Sequence, residues 1–190
     1  MQTRTPPSSL PDNCYGFSDR IQQQLDLASR LCTEQGGRMT PQRRDVLGLI
    51  LSTPTPVGAY DLLEQLKTSG RKPAPPTIYR ALDFLLEHGL IHRIERLSAF
   101  VPCTHLLHDH SHSHDHGHTE TCLHSAQFLI CRTCGGVTEI ADAPRVLEVL
   151  KNICGKKNFT MQSASVEVEG ICEDCAKAPH DQKGHAPAPN

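Results

Sequence analysis

Between residues 18 and 102 the apolar positions recur at helical spacing four times and then shift to short alternating runs. Ile21, Leu25, Ala28 and Cys32 predict an amphipathic helix that Ser18 can cap and Gly36-Gly37 ends. In RMTPQRRDVLGLIL, Thr40 stands at an N-cap position and Pro41 at the first helical position, with Val46, Leu47, Ile50 and Leu51 as the buried stripe. AYDLLEQLKTSG predicts a third helix that buries Leu62, Leu63 and Leu66 and stops at Gly70. PPTIYRALDFLLEHG predicts a fourth, begun by Pro75-Pro76 and ended by Gly89, with Ile78, Leu82, Leu85 and Leu86 on one face. At roughly 100° per residue, Arg80 and Glu87 point away from that face, and Thr77 and Tyr79 flank it. Two apolar runs, Leu90 to Ile94 and Ala99 to Val101, then surround a polar turn, which is a hairpin signal.

Helices followed by a two-stranded hairpin are the order of a winged helix-turn-helix, in which the helix before the hairpin enters a DNA major groove. The same pattern also fits a small helical domain with no nucleic-acid role, in which Tyr79 and Arg80 are a solvated face. Beyond Pro102 the texture changes. HLLHDHSHSHDHGH, from His105 to His118, has no hydrophobic period. AQFLIC and GVTEI predict two strands joined by the turn CRTCGG, and PRVLEVLKNIC predicts a helix with Val146, Leu147, Leu150 and Ile153 facing inward. MQSASVEVEGIC alternates, with Ala164, Val166 and Val168 on one face and Ser165, Glu167 and Glu169 on the other, as in a half-buried strand. This unit of about fifty residues is small for a self-sufficient core, so dimerisation, zinc or both are expected supports.

Composition narrows the function classes. No apolar run approaches the roughly 20 residues that a membrane span requires, which predicts a soluble cytoplasmic protein with no membrane partner. Nine cysteines suit no disulfide framework, and a reducing cytoplasm would not keep one. Net charge is only −2, but residues 38–96 carry nine Lys/Arg against six Asp/Glu, and residues 97–190 carry seven against eleven. A basic first half on an acidic second half suits a nucleic-acid-binding domain joined to something else. No nucleophile–base constellation stands out, so neither an enzyme nor a small-molecule substrate is expected.

Cys131-x-x-Cys134 and Cys172-x-x-Cys175, separated by thirty-seven residues, carry the strongest chemical signal. Each turn presents two thiolates on one side, and two such turns complete a closed tetrahedral sulfur shell that favours zinc. A thioredoxin-like dithiol would open a helix after a strand, and neither pair is placed to do so. TPQRRDVL, PPTIYRALDFLLEHGLIHRI, HSAQFLICRTCGGVTE and GICEDC together resemble the ferric uptake regulator family, over about residues 18–176, and in detail its zinc uptake regulator branch.

The resemblance implies an α+β fold: an N-terminal winged helix-turn-helix domain followed by a small α/β dimerisation domain with a four-cysteine zinc site. The implied division is a disordered start at 1–17, a DNA-binding domain at 18–102, a hinge and His-rich loop at 103–125, a dimerisation domain at 126–176 and a disordered tail at 177–190. It also implies a structural zinc on Cys131, Cys134, Cys172 and Cys175, and a regulatory zinc on His92, Cys103, His124 and Glu139, two ions per subunit. One thiolate and one carboxylate would neutralise Zn²⁺, and the thiolate favours zinc over iron(II). Tyr79 and Arg80 become base-contacting positions, Thr77 lies beside them, and Gln42 and Arg43 would meet phosphates. The partners implied are an AT-rich palindromic duplex and a second copy of the chain, and the activity is repression of zinc-uptake genes. Glu64 and Lys67, one turn apart, could bridge neighbouring dimers but read first as an intrahelical pair. Two rival readings stand beside this one. The first is an iron or peroxide sensor, whose denser HHxH is replaced here by the single histidine of CLHSAQFLIC. The second is a zinc-storage or metallochaperone protein using His105 to His118, a run that can at least add weak zinc binding.

Overall fold

The computed structural model describes residues 16–68, 74–104, 127–140, 144–162 and 164–177. Four helices come first: α1 (Asp19–Glu34), α2 (Pro41–Ser52), α3 (Ala59–Thr68) and α4 (Pro75–Glu87). A short strand, β1 (Val57–Gly58), precedes α3, and a hairpin of β2 (Ile91–Ile94) and β3 (Ala99–Pro102) follows α4. The three strands form one antiparallel sheet in the order β1-β3-β2. This is winged-helix geometry. At two residues, β1 is too short to show any period, so only its pairing with Ala99 and Phe100 reveals it.

Thr40 does cap α2, its Oγ1 accepting from the Arg43 N–H at 3.4 Å, whereas Ser18 makes no side-chain cap bond at α1. Helix α2 is covered on almost every side, with Val46, Leu47, Leu49 and Ile50 buried and Leu51 only partly so. Its stripe is therefore wider than the predicted one, because α1, α3 and α4 all pack around it. Burying Leu25, Leu62, Leu66, Ile78, Leu82 and Leu85 together closes this core. Gly89, at φ 65°, makes the left-handed turn that sends the chain from α4 into β2.

The second lobe is the sheet β5-β4-β6, built from β4 (Gln127–Cys131), β5 (Val137–Glu139) and β6 (Val166–Gly170), with β4 parallel to β6. Helix α5 (Pro144–Lys156) joins β5 to β6, and α6 (Glu173–Lys177), a short helix that the hydrophobic pattern does not mark, follows. Two expectations fail here. Val146 and Ile153 of α5 are 39% and 53% exposed rather than inward, so the single chain leaves this helix largely uncovered. Strand β6 does not keep the predicted burial: Val166 and Glu167 are both half-buried, while Val168 is 49% exposed. Register explains this. Glu167 and Glu169 pair laterally with Phe128 and Ile130, so all four share the face turned toward the hairpin. There Ile94, Phe128 and Ile130 form a small buried cluster with Val101 and Val137 packed on it, joining the two lobes.

Candidate metal centres and nucleic-acid face

The β4–β5 turn is a knuckle. The Cys131 N–H donates to the Gly136 carbonyl and the Gly135 N–H to the Cys131 carbonyl, each at 2.9 Å, and Gly135 takes φ 72° to close it. Cys172 and Cys175 arrive from the end of β6 and from α6. All four sulfur atoms lie within 4.8 Å of one another. Cys134 and Cys172 Sγ are 3.8 Å apart, matching the edge of about 3.8 Å that a tetrahedron with Zn–S bonds of about 2.3 Å requires. Backbone N–H groups of Cys134 and Cys172 aim at Cys131 and hold its thiol down to about 5, the second at 3.3 Å from Sγ. Contact with Cys172, burial and the other two sulfurs push Cys175 up to about 12. Four thiolates this close need a dication.

A second cluster forms between the lobes. His92 lies on β2, Cys103 just past β3, and Glu139 ends β5; their ligand atoms also lie within 4.8 Å of one another. Cys103 is fully buried. His92 Nε2 stands 3.1 Å from Glu139 Oε1, near the edge of about 3.3 Å expected for donors about 2.0 Å from zinc. The contact is misaligned for a hydrogen bond, which leaves Nε2 buried without one. Such an orphaned ring nitrogen facing a thiol and a carboxylate fits a metal donor set. Burial alone would lower the His92 pKa, but the Cys103 and Glu139 contacts outweigh it and raise it to about 9. Burial opposes ionisation of Glu139 too, yet His92 and Thr104 hold it down to about 2. The third neighbour, Thr104, carries no sequence signal beyond its adjacency to Cys103. Its N–H and Oγ1 both donate to Glu139 Oε2, at 2.9 and 2.7 Å, which turns Oε1 toward His92. The Phe128 ring meets the His92 ring edge-on at 5.6 Å. His124, the fourth ligand of the expected set, and the run from His105 to His118 lie outside the described residues.

On α4, Tyr79 is 45% exposed, Arg80 is exposed and Thr77 is half-buried near the helix start. Gln42 and Arg43 are half-buried at the first turn of α2. Arg43 has structural work as well: its guanidinium lies 3.6 Å from the Phe84 ring centroid and donates to the Arg38 carbonyl at 2.6 Å, tying α2 to α4. Lys67 and Glu64 pair within α3 at 2.7 Å on an exposed surface. Nothing in the hydrophobic pattern marks Tyr60, which the structure leaves 75% exposed at the start of α3.

A winged helix whose hairpin shares a thiolate–imidazole–carboxylate cluster with a second, cysteine-closed sheet defines a class: two-lobed, metal-binding winged-helix proteins. The sequence pattern of the ferric uptake regulator family matches residues 34–169, and the chain belongs to that family. It is 35% identical over 156 residues to the zinc uptake regulation protein of Escherichia coli (strain K12), covering 82% of this chain and 83% of that one. A Mycobacterium tuberculosis zinc uptake regulation protein is 27% identical over 143 residues, spanning 74% of this chain and 95% of the relative. Among solved structures, a zinc uptake regulator in complex with zinc and DNA superposes with TM-score 0.71 at 33% identity, covering 84% of this chain and 97% of that chain. Holo XcZur gives 0.68 at 37% identity, covering 82% and 99%.

Proposed function

We propose that the protein is a zinc-responsive, DNA-binding repressor of zinc-uptake genes that acts as a cytoplasmic homodimer and not as an enzyme. The observation that carries this reading is the convergence of His92 and Cys103 from the hairpin with Glu139 from the second sheet. His92 and Cys103 belong to the segment that follows α4, so fixing them against Glu139 fixes the direction of α4 relative to the second lobe. Zinc at this site, with His124 as fourth donor, would supply that fixation as a single charge-neutral bond set. Without it the chain samples wider orientations, and the pair of α4 helices in a dimer matches successive major grooves only in a minor state.

Tyr79 and Arg80 on the exposed face of α4 would read bases of an AT-rich palindrome, and Thr77, Gln42 and Arg43 would meet its backbone. A second copy of the chain would cover α5 and the outer sheet face, where Val149, Ile153, Leu129 and Val168 are exposed. Cys131, Cys134, Cys172 and Cys175 would hold a second, structural zinc in each subunit. A soft, buried Cys103 thiolate favours zinc over iron(II), which separates this reading from an iron sensor. Duplexes selected from a random pool by the zinc-loaded protein provide the test. Their binding should respond to buffered Zn²⁺ at lower free concentration than to Fe²⁺, and a tighter response to Fe²⁺ would reject the reading.

A further inference from the structure

One row of the second sheet runs straight across its three strands. Glu139 on β5 pairs with Phe128 on β4, which pairs with Glu167 on β6. Laterally paired residues point to the same side, so all three face the hairpin, and each grips a different part of it. Glu139 reaches His92 near the start of β2 and Thr104 just past the end of β3, at the open end of the hairpin. Phe128 packs with Ile94 and against the His92 ring at the middle. Glu167 accepts from the backbone N–H groups of Glu95 and Arg96 at 2.8 and 3.2 Å, one to each carboxylate oxygen, at the hairpin tip. Two residues further along β6, Glu169 pairs with the Arg96 guanidinium.

We infer that Glu167, assisted by Glu169 and Arg96, is a metal-independent clamp that positions the wing against the second lobe and thereby sets the zinc response of the hinge site. Chemistry supports the assignment. Ser98, at φ 48°, closes the tight turn after Glu95–Leu97, and that turn begins with N–H groups that have no partner within it. A carboxylate on two such groups is a charge-assisted, geometrically demanding contact. The acceptor comes from 72 and 71 residues away, in the other lobe, so the bonds exist only when the lobes are docked. Glu139 and Glu167 hold the two ends of the hairpin, and both contacts select one orientation. Their free energies are therefore linked: loosening the clamp weakens zinc binding at the hinge although Glu167 touches no ligand. This coupling rests on the zinc-sensing reading above, whereas the clamp itself does not.

The test uses the full chain and Zn²⁺ alone. Backbone amide exchange at Glu95 and Arg96, in protein holding zinc only at its cysteine site, should speed up in Glu167→Gln. Zinc affinity at the hinge, measured by competition with a chromophoric chelator, should fall about three- to tenfold in Glu167→Gln and about two- to threefold in Arg96→Glu. Pairing Arg96→Glu with Glu169→Arg should restore it, which a mere loss of folding or of surface charge would not do. Unchanged amide exchange in Glu167→Gln overturns the clamp. Faster exchange with unchanged zinc affinity overturns its coupling to the hinge, as does failure of the charge swap to rescue. If the parent protein binds no zinc beyond its cysteine site, the sensing reading fails while the exchange result still judges the clamp.

Discussion

At the scale of single residues, the proposed zinc site at the hinge sets a proton against a metal. His92 is held at about 9 and Glu139 at about 2, against ordinary values of 6.5 and 4.5. The raised histidine stabilises the metal-free fold below pH 6.5, and that contribution is lost as pH rises through about 9. The depressed glutamate contributes above pH 4.5 and is lost as pH falls toward about 2. The pair thus steadies the metal-free protein most between pH 4.5 and 6.5. Zinc requires the ring proton to leave, so hinge affinity should rise with pH up to about 9, by roughly tenfold per unit for that proton. Chelator competition at about pH 6.5, 7.5 and 8.5 checks this, and a flat profile would contradict it. Thr104 sets the carboxylate's direction. Thr104→Val removes one of its two bonds to Glu139 Oε2, and outer-shell bonds of this kind are commonly worth about tenfold or more in metal affinity. Since the backbone bond remains, the loss should be a few-fold to about tenfold, with the zinc content of the cysteine site unchanged.

At the scale of elements, the two sheets differ in how they stand up. The first rests on a helical core with α2 at its centre; among the described residues, the second rests on Phe128, Ile130, Val137 and four cysteines. Phe128 is 1% exposed between His92, Ile94 and Ile130, so Phe128→Ala should cost about 3–5 kcal/mol in denaturant unfolding. A cost below about 1 kcal/mol would mean that the cluster does not join the lobes. Helices α2 and α4 and the hairpin are legible in the sequence because their buried faces are closed within about sixty residues of chain, so periodicity and caps report the packing directly. Both cysteine pairs are legible from spacing alone. The faces of β6 are not, because Glu167 and Glu169 are satisfied by Glu95 and Arg96 some seventy residues away, and no local rule turns glutamates inward. Helix α5 misleads for another reason: its apolar stripe is real, but the single chain leaves it largely uncovered. If a second copy covers this helix as proposed, Ile153→Asp should convert the dimer to monomer in sedimentation equilibrium. An unchanged dimer would place the interface elsewhere.

At the scale of the whole molecule, the proposed function depends on orientation. Two lobes touch along a hairpin, with a donor set at one end, an aromatic cluster in the middle and a carboxylate clamp at the tip. On the proposed reading, zinc at the donor set acts on DNA by biasing that contact, and the size of the response equals the difference in zinc affinity between docked and undocked states. Cys103, fully buried between the lobes, is on this reading part of the zinc sensor. Binding of selected duplexes by Cys103→Ser across a buffered Zn²⁺ series tests that most directly. The midpoint should move to at least about tenfold higher free zinc, with the cysteine-site zinc retained. A midpoint equal to that of the parent protein would remove Cys103 from the sensor and contradict the mechanism.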